Sequence, residues 1–84
     1  MMIEKHDLHH EFPESEKAIH ELKMNNAHFA RLFAEYHDTE HEVHRIETGA
    51  ENTSDEYLES KKLQRLKLKD QLYDIIKNYE AAQA

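Results

Sequence analysis

The fold is decided by residues 28–47, HFARLFAEYHDTEHEVHRIE, which carry the pattern of one long amphipathic helix. Phe29, Tyr36 and Val43 recur at seven-residue steps, with Leu32 between them. Because residues three and four apart lie on the same side of a helix, these side chains share one face. No Gly or Pro lies within this stretch. Such a helix needs a partner over its apolar face, since hydrogen bonds alone do not stabilise it.

Helix boundaries are indicated by the only Pro and the only Gly of the chain. Pro13 suits the first turn of a helix, and Gly49 suits the position just after one. Thr53 and Glu56 have the spacing of a capping box, which begins a second helix. We therefore expect the following segments: a flexible arm over 1–12, helix one over about 13–48, a turn over 49–53, helix two over about 54–79, and a frayed tail over 80–84.

The sequence leaves open whether helix one is continuous. Asn25 and Asn26 lie within it, and Asn favours helix caps over helix interiors. One alternative is a single long helix through both residues. The other is a break at this point, which adds a short N-terminal helix before the long one.

The short turn at Gly49 predicts that the two helices pack side by side and antiparallel. We therefore expect an all-α fold, a coiled-coil-like antiparallel two-helix hairpin that forms a single domain over residues 1–84. Folding the chain at the turn pairs Val43 with Leu58, Tyr36 with Arg65, Phe33 with Leu68, Phe29 with Leu72, and Leu22 with Tyr79. The predicted hairpin core consists of Leu22, Phe29, Leu32, Phe33, Tyr36, Val43, Leu58, Leu68, Leu72, Ile75 and Tyr79.

Four apolar residues of helix two fall outside this predicted core. They are Leu63, Leu66, Tyr73 and Ile76. A lone pair of helices has only one mutual contact, so these side chains would remain uncovered. Their simplest use is a second contact, with another copy of the chain or with a different protein. We take them as the candidate interaction surface and expect a homo-oligomer or an unidentified protein partner.

The composition argues against several other functions. The net charge of −7 makes nucleic acid a poor partner, and no run is long enough and apolar enough to span a membrane. The first ten residues lack the order of a secretory signal, and the chain has no Cys, so we expect a cytoplasmic protein. With one Gly it cannot build a glycine-rich phosphate loop, and we expect no bound nucleotide or other cofactor. No catalytic constellation is present, so we expect no enzymatic activity.

Helix two contains a basic run over residues 61–69, KKLQRLKLK. A run of this kind is one indication of phosphate or nucleic acid binding. Folding at the turn, however, places it beside acidic residues of helix one, and such pairing fixes the register of packed helices. We favour this structural role, with the expected partners Glu35, Asp38, Glu40 and Glu42.

The chain is rich in His, and His37, Glu40 and His41 match the pattern H-x-x-E-H. His44 follows on the next turn, so the three His side chains would lie close enough for one zinc ion. The five-residue pattern is weak in a chain with 8 His, and a zinc protease needs a far larger scaffold. We expect surface His without a resident metal. The alternative function is a zinc- or pH-responsive regulator that uses His37, His41 and His44.

Several segments together resemble the YdcH family of small bacterial proteins. They are HEFPE at 10–14, HFARL at 28–32, EY at 35–36, HEVHRIE at 41–47 and RLKLKDQLY at 65–73. The resemblance covers most of the chain, and it implies a helical hairpin of unknown function that often associates with itself. It implies no catalytic residues. Thr39 departs from the larger apolar residue expected at its core position.

The leading hypothesis from the sequence is therefore a non-enzymatic helical interaction module. It would act by burying the exposed apolar side chains of helix two against a copy of itself or a partner helix.

Overall fold

The structure, a computed structural model, describes residues 11–83. Within this range it contains three α-helices and no strand, which confirms the all-α prediction. The helices are α1 (Glu16–Asn25), α2 (Ala27–Glu47) and α3 (Asp55–Gln83), and a 3-10 turn at Pro13–Ser15 precedes α1. Most of the arm expected over residues 1–12 lies outside the described residues.

Asn26 separates α1 from α2. Its backbone is extended, with φ −130° and ψ 103°, and its N–H donates to the Leu22 carbonyl at 2.9 Å, which closes α1. Its side-chain Oδ1 accepts a hydrogen bond of 3.0 Å from the Phe29 N–H, which opens α2. One residue therefore caps two helices. The structure thus contains the short extra N-terminal helix, which is one of the two alternatives that the sequence allows.

Gly49 ends α2. Its φ of +84° lies in the left-handed region, which costs Gly little and other residues more. The Gly49 N–H donates to the Ile46 carbonyl at 3.2 Å, and the Ala50 N–H donates to the Arg45 carbonyl at 2.9 Å. These two bonds form a Schellman motif, which satisfies the last carbonyls of the helix.

The start of α3 differs by one residue from the expected one. Ser54 is the cap, because its Oγ accepts a hydrogen bond of 3.1 Å from the Tyr57 N–H. The hydroxyl of Thr53 donates instead to the Ser54 carbonyl at 3.3 Å. The capping box assigned to Thr53 is therefore wrong, since the neighbouring hydroxyl performs that role.

The end of α3 also differs from the prediction. The helix continues to Gln83, beyond the expected end near Tyr79 and through most of the expected frayed tail. Two features account for the extension. Ser15 Oγ donates to the Glu80 carboxylate at 3.0 Å, which holds this part of α3 against the start of the chain's first helical segment. Ala has the highest helix propensity of all residue types, which favours a helical conformation at Ala81 and Ala82.

The core lies where the three helices meet. The largest fully buried side chains are those of Ile19, Phe29, Tyr36, Val43, Leu72 and Ile76. The structure also buries the predicted core residues Leu22, Leu32 and Leu68. It leaves four of the predicted core residues partly exposed: Phe33, Leu58, Ile75 and Tyr79.

Ile76 is the main correction to the predicted surfaces. The sequence pattern predicts an exposed position for it, but its side chain is 0% exposed. It belongs to the same buried cluster as Ala18, Ile19 and Leu22 of α1. A hairpin of two helices would leave this side of α3 open. The break at Asn26 lets α1 cover it, so the additional helix α1 accounts for the burial of Ile76.

Cross-helix contacts join both ends of α3 to the earlier helices. Lys62 of α3 pairs with Glu47 at 3.2 Å, and Lys61 pairs with Glu42 at 3.5 Å. Near the other end of α3, the Tyr79 hydroxyl donates to the Glu21 carboxylate. The start of α3 therefore contacts the C-terminal part of α2, and the far end of α3 contacts α1. The predicted pairing of Leu22 with Tyr79 is one residue from this observed contact.

Thr39, the departure from the family pattern, is buried inside this packing. Its hydroxyl donates a hydrogen bond of 2.9 Å to the Glu35 carbonyl on the preceding turn of α2. A buried hydroxyl is costly only when it lacks a partner. The helix therefore accommodates Thr at this core position.

Candidate interaction surface

Three large apolar side chains of α3 point away from the core. Leu63 is 58% exposed, Leu66 is 50% exposed and Tyr73 is 43% exposed. Their spacing of three and seven residues places them on one face of the helix, opposite the buried Leu68 and Leu72. We call Leu63, Leu66 and Tyr73 the α3 stripe. The structure thus brings together three of the four residues predicted for an interaction surface, and Ile76 is not among them.

The N-terminal segment borders one side of the α3 stripe. The Phe12 ring lies 5.6 Å from the Tyr73 ring, centroid to centroid, and Phe12 is partly buried against the core cluster. Glu11 pairs with Lys69 at 3.4 Å. These two residues of the expected flexible arm therefore pack on α3, because an apolar ring and a carboxylate there find matching partners.

A shallow groove of about 260 Å³ runs beside the stripe. It shares Leu66 with the stripe, and Tyr36 and Arg65 both line it, as their predicted pairing requires. The remaining lining residues are Glu11, Lys62 and Lys69. Two of these cations are paired with carboxylates of the same chain, so the groove is less basic than its sequence suggests.

The basic run over residues 61–69 does pair with acidic side chains. Of the four partners expected, Glu42 contacts this run, through Lys61 at 3.5 Å. Lys62 and Lys69 pair instead with Glu47 and Glu11, which the sequence analysis did not select. Partly exposed pairs of this kind contribute about 0.2–1 kcal/mol each. Their main effect is on the register between the helices.

Two hydrogen bonds from tyrosine to glutamate join α3 to the other helices. The Tyr57 hydroxyl donates to the Glu42 carboxylate, and the Tyr79 hydroxyl donates to the Glu21 carboxylate. Each bond favours the neutral phenol, so the pKa values of Tyr57 and Tyr79 are raised above 10.0. The bond from Tyr57, together with the nearby Lys61 ammonium, lowers the pKa of Glu42 below 4.5. Sequence patterns gave no sign of either bond.

The His side chains on α2 pack in a row. The His37 ring lies 4.4 Å from the Phe33 ring and 6.5 Å from the His41 ring, between centroids. In the part of the chain that the structure describes, no three His or carboxylate side chains are grouped so that they could hold a metal ion. The arrangement of His37, His41 and His44 therefore gives no support to a zinc site.

Among residues 11–83, two further large apolar residues are exposed that the sequence pattern does not indicate. Met24 on α1 is 73% exposed, and Tyr57 near the start of α3 is 39% exposed. Tyr57 is held by Glu42, and Met24 stands apart on another helix. Isolated exposed apolar residues are normal on protein surfaces, so neither extends the α3 stripe.

Across residues 11–83, no helix is both long enough and apolar enough to cross a membrane.

A family model described as a protein of unknown function (DUF465) matches residues 29–76. This range runs from Phe29 in α2, through the turn at Gly49, to Ile76 in α3, and it includes the whole α3 stripe. Among curated proteins and solved structures, no match is found. The matched range is more than half of the 84 residues, and the chain therefore belongs to the DUF465 family of proteins of unknown function.

Proposed function

We propose that this protein is a non-enzymatic interaction module, in which α2 and α3 form an antiparallel hairpin that docks a further helix on the α3 stripe. The hairpin is supported by the ion pairs that join the start of α3 to the C-terminal part of α2, by the contact of its far end with α1, and by the tight turn at Gly49. The resemblance to YdcH proteins supports the same arrangement. A cytoplasmic location and the absence of enzymatic activity stay predictions.

The observation that carries the proposal is the exposure of Leu63, Leu66 and Tyr73 on one face of α3. Full burial of such a side chain is worth about 1.5–3 kcal/mol, and each of these is about half exposed. Docking a helix over all three therefore gains roughly 1 kcal/mol per side chain. Folding of a single chain does not bury these side chains, so an association that buries them is favoured by this free energy.

The shape of the stripe suits a helix. From Leu63 to Tyr73 it extends about 15 Å along the axis of α3, at 1.5 Å per residue. The stripe has spacings of three and seven residues, the pattern by which two helices pack along a common seam. The groove beside Leu66 gives a docked helix a concave edge to lie against. This is the helix-in-groove mode of recognition.

The proposal is tested by adding two negative charges to the stripe. Leu66→Asp with Tyr73→Asp should leave the helices intact, because both side chains are exposed, and should abolish association. Gln64→Asp with Gln71→Asp is the matched control, since it adds the same charge at exposed positions of α3 outside the stripe. Circular dichroism establishes that each variant is helical.

Two readouts compare the wild-type protein with both variants. Light scattering reports self-association as a mass above 10.0 kDa. Immobilised protein reports a different partner, as a band retained by the wild type and the control variant but lost with the stripe variant. Association that is identical in all three proteins, or absent from all three in both assays, would overturn the proposed function.

A further inference from the structure

We infer that the α3 stripe binds a second copy of this chain, with the two α3 helices antiparallel and Glu59 of each copy beside Lys77 of the other. This inference rests on the proposed function and names its partner and register. It is argued from the charges that lie in line with the stripe.

The stripe is part of a longer line on the exposed face of α3. Glu59 precedes Leu63 by four residues, Asp70 lies between Leu66 and Tyr73, and Lys77 follows Tyr73 by four. All three of these charged residues are exposed. The six positions alternate steps of four and three, which is the a/d spacing of a coiled-coil seam. The line therefore has a seam pattern with Glu at one end and Lys at the other.

An antiparallel pair of such helices brings opposite ends together. When the two α3 helices are centred near residue 68, Leu63 lies opposite Tyr73 of the second copy, and Glu59 lies opposite Lys77. Two-fold symmetry repeats each contact, so the pair contains two apolar layers of this kind, two ion pairs and, at its centre, two layers in which Leu66 faces Asp70. Lys77 is available for this role, since its own contact with Glu80, at 3.5 Å, is exposed.

Two alternative arrangements of the same two helices bring like charges together. A parallel pair would place Glu59, Asp70 and Lys77 each beside its own copy. An antiparallel pair shifted by one heptad, with Leu63 opposite Leu66, would place Glu59 opposite Asp70. Like charges at facing positions destabilise a pairing and so select against it. The charges of α3 therefore favour the register centred near residue 68 over both of these arrangements.

The basic run does not oppose this register. Lys62 and Lys69 lie on the flank of the seam, and both are already paired, with Glu47 at 3.2 Å and Glu11 at 3.4 Å. On the opposite flank, Lys67 of one copy lies beside Asp70 of the other, which gives that seam carboxylate a partner. The positive charge near the centre of the pair is thus balanced by carboxylates.

A charge swap tests the register. Glu59→Lys places two cations together at both ends of the pair and should weaken dimer formation roughly tenfold, since two exposed ion pairs become repulsive. Lys77→Glu should weaken it to a similar extent. The variant with both substitutions restores opposite charges and should recover dimer formation. Glu35→Lys is the control, because it makes the same charge change on the exposed surface of α2 and should have little effect.

Cross-linking tests the orientation independently, and the chain has no Cys of its own to interfere. Glu59→Cys combined with Lys77→Cys should give covalent dimers with a short thiol cross-linker, whereas either substitution alone should give few. Residues 59 and 77 are about 27 Å apart along one helix, so the link must join two chains. Parallel helices would give a different result, because each single variant would then cross-link to its own copy as readily as the double variant.

The outcomes separate the inference from the proposed function. A dimer that is unaffected by the charge swap, or that cross-links in the parallel pattern, overturns the register while the stripe remains an interaction surface. A wild-type protein that is monomeric at all concentrations overturns the second copy as partner, and the retained-partner assay then decides the proposed function.

Discussion

Replacing Ile76 with Ala tests how α3 is rotated against the rest of the molecule. Ile76 is 0% exposed, whereas the adjacent Ile75 is only partly buried. The sequence pattern predicts the reverse, with Ile75 in the core and Ile76 on the surface. Since the two positions are neighbours with the same side chain, Ile75→Ala is a matched control for changes in helix propensity.

The expected cost follows from the burial of each side chain. Truncating a fully buried Ile to Ala lowers the free energy of unfolding by about 2–5 kcal/mol, and we expect about 3 kcal/mol for Ile76→Ala. Because Ile75 is partly exposed, Ile75→Ala should lower the free energy of unfolding by about 1 kcal/mol. A domain of this size has a free energy of unfolding of roughly 4–12 kcal/mol, so the loss at Ile76 is a large share.

Urea unfolding followed by circular dichroism measures both variants. With an m value of about 1.5 kcal/mol per molar, the midpoint should fall by about 2 M for Ile76→Ala and by less than about 1 M for Ile75→Ala. The comparison is made at two protein concentrations, because a residue in an interface between copies would show a concentration-dependent loss. An equal or larger loss at Ile75 would refute this rotation of α3, and with it the covering of Ile76 by α1.

Two further predictions concern the contacts that hold α1 in place. Asn26→Ala removes the side-chain acceptor of the Phe29 N–H and should cost about 1 kcal/mol in urea unfolding. Asn25→Ala, at an exposed helical position, should cost little, and equal losses would argue against the cap. The raised pKa of Tyr79 means that its bond to Glu21 stabilises the fold below pH 10.0 and loses its effect as the pH rises through the folded-state pKa. Between pH 8 and pH 11 the melting temperature should therefore fall less for Tyr79→Phe than for the wild type. An equal fall in both proteins would exclude a contribution of the Tyr79–Glu21 bond to stability.

Much of the helix layout follows from local signals. Gly49 ends α2 because a left-handed residue is needed there, and the seven-residue steps from Phe29 to Val43 place three side chains in the core. These features depend on residues close together in the chain, which is why the sequence predicts them. The α3 stripe was also predicted, since Leu63, Leu66 and Tyr73 are too far around the helix to reach the partner of a hairpin.

Ile76 was misplaced because its environment depends on α1, a distant part of the chain. Asn26 is compatible with a helix interior and with a cap, and the sequence alone did not distinguish them. In the structure Asn26 is a cap, and Ile19 and Leu22 share one buried cluster with Ile76. One local ambiguity therefore changed the predicted surface of a helix about 50 residues away. The choice of Ser54 over Thr53 as a cap is a smaller case, since both residue types accept the same hydrogen bond.

The central claim is that the α3 stripe is the surface through which this chain associates. Light scattering across a dilution series measures it most directly, with the wild-type protein and the variant Leu66→Asp with Tyr73→Asp side by side. The account predicts a mass approaching twice 10.0 kDa for the wild type at high concentration and 10.0 kDa for the variant throughout. A dimer of the same stability in both proteins would contradict the claim.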